Sequence, residues 1–536
     1  MAANAFQTGS TLEYRRSPDQ DKSSAVRHPV IFVGAGPVGL VAAIDLAQQG
    51  VPTILLDDAG RIGEGSRAIC FAKRTIEIFD RLGVGDRMTA KGVTWKAGKI
   101  FHGNDLVSTF DLLPEPGHRR PAFINLQQYY VEQYLVDAAQ AIPGLDPRWR
   151  NKITSVTPLD DGVRLAIETP DGPYALEADW VIAADGVRST ARRCLGLDFI
   201  GQSYADRFLI VDVEMTADFP QERWFWFEPP FHSGPTALLH KQPDDIWRID
   251  LQLPWDCDPE YEKRPDVVIP RIERMLGHRR FTIKWISICT FHCRRLERFV
   301  HDRIIFAGDA AHQVTPLGAR GANSGIQDAE NIAWKLARVI GGSADKDLIA
   351  TYDIERSAAA DENILRSSSS AEFIMPKSKG ERGFRDAVLN LAPAAPFARR
   401  MINAGRLSTP STYETPLSTP DGDVWDGSAK LGAPAPDVPL RDVNGCSMWL
   451  LDLLGSRTTL LCVGDDPIAA PAGDLPVITL GRTLFADGEF FQQRFDASPG
   501  AAYLIRPDRH LAARWRHYDS ASVTKAVARL NGGLRC

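Results

Sequence analysis

The stretch VIFVGAGPVGLVAAIDLAQQGVPTILLDD, Val30 to Asp58, constrains this chain more than any other. An apolar run meets a glycine-rich turn, an Ala/Leu-rich segment follows, and a second apolar run ends on two aspartates. That order predicts a β-α-β unit. Within G-x-G-x-x-G, Gly34 permits the tight turn and Gly36 lets the backbone approach a pyrophosphate, while Gly39 allows helix and strand to pack closely. Pro37 lies inside the same turn and is counted with these glycines as a cofactor contact. Asp57, with Asp58 beside it, ends the second strand, where an acid can accept both ribose hydroxyls of an adenosine. The motif alone is short and weak. Placed between strand and helix and answered by Asp57, it predicts a dinucleotide site.

A second glycine-studded turn lies far downstream in IIFAGDAAHQVTPLGARGANSG, Ile304 to Gly325. A buried strand gives way to Gly308-Asp309, and the glycines that follow open a helix. Ile326, Ala329, Ala333, Leu336 and Ile340 recur every three or four positions along it and predict one buried stripe. Between the two turns, WVIAADGVRSTARRCLGL ends a strand at Ala183 and delivers Asp185-Gly186 to a turn. Glycines at a helix start let a backbone approach a ligand, and free amides with a positive dipole suit a negatively charged group.

The order GxGxxG, Asp-Gly, Gly-Asp resembles that of the class A flavin-dependent aromatic hydroxylases, the para-hydroxybenzoate hydroxylase and phenol hydroxylase family. The resemblance covers residues 29–340 through motifs and the remainder more loosely. It implies that Gly34, Gly36, Gly39 and Asp57 hold the ADP half of FAD and that Arg67 lies over the pyrophosphate. It implies a flavin contact for Gln128, with Gln127 as the alternative register, and a role for Asp185 in both FAD and NAD(P)H binding. Asp309 of Gly308-Asp309 would accept from the ribityl chain. Pro316 would face the substrate hydroxyl, and Gly318, Gly321, Ala322 and Asn323 would bring amides to the flavin ring. The two turns then hold opposite ends of one cofactor.

The implied reaction uses NADPH or NADH and O₂ to hydroxylate a phenolic substrate through a flavin C4a-hydroperoxide. An epoxidase or Baeyer–Villiger oxygenase of the same fold, or a flavoprotein that only oxidises NAD(P)H, are the alternatives.

The implied fold is α/β. An FAD-binding Rossmann-like domain of glutathione-reductase type (29–200 and 296–375) is interleaved with an antiparallel-sheet substrate domain (201–295 with part of 95–125). Runs such as ERWFWFE and IWRIDLQL carry the strand signal there. A disordered lead-in is expected over 1–28, a helical arm or linker over 376–430, and a small α/β module over 431–536. The module resembles a thioredoxin-like domain without CxxC, since Cys446 and Cys462 are too far apart for the redox motif. Its expected seat is a partner subunit, giving a homodimer to which either this module or the 376–430 arm contributes contacts.

Substrate-side candidates are His240, Arg248 and Gln252, with Trp226, His232 and Trp285 behind them. Arg248 and Gln252 share strand parity, so both face one side, and an arginine there suits a carboxylate. His312 reads as packing or cofactor support.

Composition excludes several classes. The net charge of −6 offers nothing to nucleic acid or an anionic membrane. No HExxH or G-x-S-x-G occurs, and Cys289 and Cys293 lack the second pair a metal cage needs, so no metal is expected. The polar first 28 residues lack a signal peptide's apolar core, no run approaches the ~20 apolar residues of a membrane span, and eight cysteines make no disulfide framework. The reducing cytoplasm is the expected compartment.

Overall fold

The strand Val26–Val33 is apolar on both faces from Val30 onward, and those residues are fully buried. A strand buried on both faces belongs inside a parallel sheet. It pairs in parallel with Thr53–Leu56 on one side and Gly172–Ala183 on the other. Ile304–Phe306 and Leu145–Arg148 extend the parallel sheet beyond them. The computed structural model describes residues 10–532 except 64, 66, 255, 403–406, 466–473, 482 and 487–488.

Sheet order explains how motifs so distant in sequence meet. Ile304–Phe306, Gly172–Ala183, Val26–Val33 and Thr53–Leu56 are consecutive neighbours. Their carboxyl ends deliver Gly308-Asp309, Asp185-Gly186, the GxGxxG turn and Asp57. In an open α/β sheet that edge is where ligands bind.

The second large sheet has eight strands, centred on Phe199–Glu214, Ile246–Leu253, Thr236–Lys241 and Arg223–Phe227. Ala97–His102 and Asp105–Asp111 complete one side. One face, carrying Leu209, Val211, Ile249 and Leu251, packs on the helix Pro265–Leu276. The other faces the parallel sheet's ligand edge.

Three expectations change. Of the lead-in 1–28, residues 1–9 lie outside the described residues, but 10–28 are packed rather than disordered. Leu12 is buried and its amide donates to Gly60 O (2.9 Å). Ser17 and Gln20 form a capping box, and Asp19 pairs with Arg148 at 2.7 Å. The polar composition of this segment reads as disorder because its anchoring partners, Gly60 and Arg148, lie far off in sequence.

The helix Gly321–Ile340 shows no single stripe. Every residue from Asn323 to Leu336 is buried, including Asp328, Glu330, Asn331 and Lys335. Its apolar side packs on the helix Pro37–Gln48 and the parallel sheet. The C-terminal module covers its polar side.

That covering is the third change. Strands Val477–Leu480, Thr459–Val463, Ala502–Ile505 and Leu511–Trp515 form a four-stranded sheet. Leu460, Cys462, Leu504 and Ala513 pack with Trp334 and Leu348, so the module seats on its own chain's helices. The arm contributes helices Lys379–Leu391 and Pro396–Met401.

Candidate active site

A cavity of about 730 Å³ lies between the ligand edge of the parallel sheet and the inner face of the antiparallel sheet. Gly36, Pro37, Arg67, Gln128, Asp185, Asp309, Pro316, Gly321, Ala322 and Asn323 line one side, and His240 and Arg248 line the other. Gly34, Gly39, Asp57, Asp58, Gly308, Gly318 and Gln252 do not form its wall.

The glycines divide by task. A Cβ on Gly39 would fall 1.8 Å from Gly34 O, and Gly34 has φ 101° with its own Cβ position 2.5 Å from Ala184 O. Those two are fixed by the fold. A Cβ on Gly36 would meet nothing within 4 Å, because it points into open space. That is the position at which a pyrophosphate can approach the backbone.

The carboxylates divide similarly. Asp57 accepts from the amides of Ala35 (2.5 Å) and Ala59 (2.8 Å), so it braces the glycine turn, while Asp58 is exposed. Burial pushes the Asp57 carboxyl up against those amides. Asp185 Oδ2 accepts from the amides of Thr190 (2.7 Å) and Ala191 (3.1 Å). Its Oδ1 is buried with no partner. Asp309 faces the cavity, and its carboxylate accepts no hydrogen bond among the described residues. Although its side chain is exposed along the cavity wall, the protein around it pushes its carboxyl up through burial.

The Gly308-Asp309 turn is held from behind. Asp328 Oδ2 accepts from Gly308 N (2.9 Å) and lies 2.7 Å from His312 Nε2, while its Oδ1 accepts from Arg356 Nε (2.6 Å). Burial alone would raise the Asp328 carboxyl, but His312 and Arg356 outweigh it and hold it low. His312 is thus a positioning group. Asp328 and Arg356 escaped sequence reading, because each lies among polar neighbours on its helix and reads as a solvent-facing position.

Gln128 lines the cavity, accepts from Ala68 N (3.1 Å) and donates to Glu132 (2.7 Å), which accepts from Gly63 N (3.0 Å). Gln127 instead donates to Pro243 O at 3.2 Å and does not line the cavity. The Asn323 side chain is spent on the fold, accepting from Ala72 N (2.8 Å) and Thr75 Oγ1 (2.6 Å). What this helix start offers the cavity is backbone: Arg320 at the N-cap makes no side-chain cap, leaving first-turn amides without intrahelical partners. Pro316 opens the preceding tight turn, which closes on Ala319 at φ 51°.

The antiparallel sheet presents side chains in rows. Arg248 is in register with Asp212 and His240, and Arg223 precedes Trp224, the partner of Leu239, so it falls beside His240. The next row carries Leu238, Asp250 and Ile210. Gln252 falls one row further, where Thr236 Oγ1 donates to it (2.8 Å) and it donates to Asp206 (3.3 Å). Parity assigns it the right face, but four residues of strand carry it about 13 Å past Arg248 and beyond the cavity. Arg248 Nε donates to Asp212 at 2.9 Å, so it is not the carboxylate clamp expected of it. His240 is buried with Nε2 unpartnered, and burial holds its pKa well below the usual value, so it is neutral at pH 7. Trp226 packs in the opposite face, and His232 binds Gln252 O at 2.7 Å. Asp250 and Arg223 line the cavity and escaped sequence reading. The parity that selects Arg248 and Gln252 passes through Asp250 between them.

The residues present fit a dinucleotide flavin: open space before Gly36, an unpartnered Asp185 Oδ1, a cavity-facing Asp309, and uncapped amides at Gly321. Comparison with known proteins agrees. The family described as "FAD binding domain" matches residues 27–367. The 12-dehydrotetracycline 5-monooxygenase/anhydrotetracycline 6-monooxygenase of Streptomyces rimosus is 27% identical over 517 residues, 91% of this chain and 95% of that one. A flavin-dependent monooxygenase of Mycobacteroides abscessus is 29% identical over 505 residues, 90% and 96% of the two chains. The structure of the flavin-dependent monooxygenase PieE, in complex with FAD and substrate, shares the fold at TM-score 0.81 and 23% identity, covering 94% of this chain and 99% of that one.

The chain therefore belongs to the FAD-binding domain family. It is a FAD-dependent monooxygenase.

Proposed function

We propose that this enzyme hydroxylates a phenolic aromatic substrate with NAD(P)H and O₂, inserting one oxygen atom and releasing the other as water. One observation carries this reading: the cofactor wall and the sheet wall enclose a single cavity whose sheet side combines apolar and polar side chains. Two relatives of similar coverage support the aromatic class. One is the anhydrotetracycline monooxygenase above, and the other is a 3-(3-hydroxy-phenyl)propionate/3-hydroxycinnamic acid hydroxylase of Mycobacterium avium, 26% identical over 92% of this chain and 84% of its own.

FAD, when bound, supplies hydride acceptance and oxygen activation. The chain's own residues do the rest. Gly36 and Arg67 would flank the pyrophosphate, Asp185 and Asp309 would accept from hydroxyls through their free oxygens, and the Gly321 amides would meet the electron-rich ring edge. Pro316 stands at the junction with the sheet, where it would face the substrate. Enclosure by two sheets excludes water from the reacting atoms. NADPH or NADH docks transiently, since no second GxGxxG exists in the chain.

The same reading includes a homodimer, a cytoplasmic location and a thioredoxin-like C-terminal module without redox function. Exposed Phe384, Leu391 and Phe397 on the arm favour it as the dimer contact. The seven described cysteines are free, and Cys446 is exposed while Cys462 is buried, which supports a reducing compartment and a redox-silent module.

The test is to screen phenols for faster NAD(P)H consumption coupled to a hydroxylated product. Consumption unaffected by every phenol, with hydrogen peroxide as the sole product, overturns the proposal.

A further inference from the structure

The substrate end of the cavity contains charge that the protein does not complete. Arg248 is closed by Asp212, but Arg223 forms no ion pair among the described residues. Arg223 is buried, its Nε has no partner, and its one hydrogen bond runs from Nη2 to Leu317 O (3.2 Å). Leu317 adjoins Pro316, so this guanidinium stands where the sheet meets the cofactor-side turn. Asp250, one row along the sheet, has a buried Oδ1 with no partner, and His240 Nε2 is likewise unpartnered. Phe208, Ile210, Leu238 and Phe291 line the same space and make a slot for a flat ring.

We propose that Arg223 and Asp250 are the substrate-activating pair: Asp250 accepts the proton of a substrate hydroxyl, and Arg223 holds the oxyanion left behind. This rests on the hydroxylase reading and narrows it. The substrate is a fused or extended phenol acidic enough to bind as its anion, such as one whose hydroxyl is conjugated with a ring carbonyl. A carboxylate as the primary handle is disfavoured, because Arg248 is already paired and Asp250 would repel it. In the step itself the substrate O–H bond breaks and an O–H bond forms on the carboxylate. No electron changes hands. The charge spreads into the ring and makes the ring carbon nucleophilic toward activated oxygen.

Chemistry at the site agrees. Burial pushes the Asp250 carboxyl up to about 6, with Arg248 drawing it back down, so it exchanges a proton close to neutral pH. The groups facing it are Arg248 on its own strand, Arg223, Asp212, neutral His240, and the thiols of Cys70 and Cys289. Both thiols are pushed up by burial, to about 11 and about 12, and stay protonated.

The test uses FAD-loaded enzyme and alizarin, a hydroxyanthraquinone whose anion absorbs to the red of oxidised flavin. Binding is read by flavin fluorescence and ionisation by the dye's own spectrum, between pH 5 and 8. The bound dye should ionise at least one pH unit below the free dye. Arg223→Met should abolish that shift and weaken binding about tenfold. Asp250→Asn should lower kcat for the best phenol at least a hundredfold and remove the acidic limb near pH 6, and Asp250→Glu should restore the limb. FAD absorbance and melting temperature report folding of each variant. The inference is overturned if the dye does not bind, if it binds without an ionisation shift, or if Asp250→Asn keeps the limb. Hydroxylation without the ionisation shift sinks this inference alone. Ionisation on binding without hydroxylation of any phenol sinks the hydroxylase reading and leaves the anchoring pair supported.

Discussion

The helix Gly321–Ile340 touches two buried charged regions that differ in what completes them. Along its middle, the helix meets the C-terminal module through a seam of ions. Glu355 accepts from Lys335 Nζ (2.8 Å), Asn331 Nδ2 (2.7 Å) and both terminal nitrogens of Arg506 (2.7 and 2.9 Å). Asp508 takes Arg506 at 2.6 Å and Trp334 Nε1 at 3.0 Å, and Arg74 pairs with Glu330 at 2.5 Å. At the N-terminus of the helix, the cavity instead holds Asp185 Oδ1, Asp250 Oδ1, Arg223 Nε and His240 Nε2 without partners. A buried polar group left unpaired costs about 1–3 kcal/mol. The seam also keeps unpartnered atoms, at Arg74 Nε, Glu330 Oε1 and Asn331 Oδ1, but each of its carboxylates has a cation of the chain beside it, whereas Asp185, Asp250 and Arg223 form no ion pair among the described residues and are left for a ligand. Seam charges belong to the fold, and cavity charges belong to the cofactor and substrate.

The comparison breaks most visibly in the seam. Glu355→Gln strands Lys335 without a counter-charge, leaves Arg506 with Asp508 alone, and should cost about 3–5 kcal/mol in denaturant unfolding. A chain ending near Pro434 removes Arg506 and Asp508 altogether and should lose at least as much. Acid should act on the same bond. Burial alone would raise the Glu355 carboxyl, but Arg506 and Lys335 outweigh it and hold it well below the usual range. Its stabilisation is therefore complete above ordinary carboxylate pKa values and is lost as pH falls through its own lowered one. Denaturant midpoints at pH 7 and pH 3 should diverge more for the parent enzyme than for Glu355→Gln.

The next effect separates two glycines of one motif. Gly39→Ala drives a methyl against Gly34 O and should destabilise the ligand-free protein by more than the ~1–3 kcal/mol of ordinary overpacking. Gly36→Ala points its methyl into open space and should leave ligand-free stability within ~0.5 kcal/mol while weakening FAD binding. Equal melting temperatures for the two variants would contradict the division.

How much of this was legible in the sequence follows from the range of the interactions. Gly34, Gly36, Gly39, Asp185 and Asp309 were readable because each motif is local, a strand end and the turn it feeds. The row Arg223–His240–Arg248 and the reach of Gln252 were not, since they depend on register between strands of a sheet whose alternation fixes face but not depth. The seam was least legible. Glu330, Asn331 and Lys335 read as the wet side of an amphipathic helix, and only the module about 170 residues downstream shows that side to be dry. The packed segment 10–28 hid for the same reason.

The most direct test compares Asp309→Ala with Glu355→Gln by thermal melting, each with and without saturating FAD. Asp309→Ala should melt near the parent when FAD is absent. It should lose much of the FAD-induced rise, because a charge-assisted hydrogen bond of about 1.5–3 kcal/mol is a ten- to hundredfold loss of affinity. Glu355→Gln should melt well below the parent in both states yet keep the full FAD-induced rise. If Asp309→Ala instead lowers the ligand-free melting temperature and keeps the FAD response, or Glu355→Gln loses that response, the division between the two regions is contradicted.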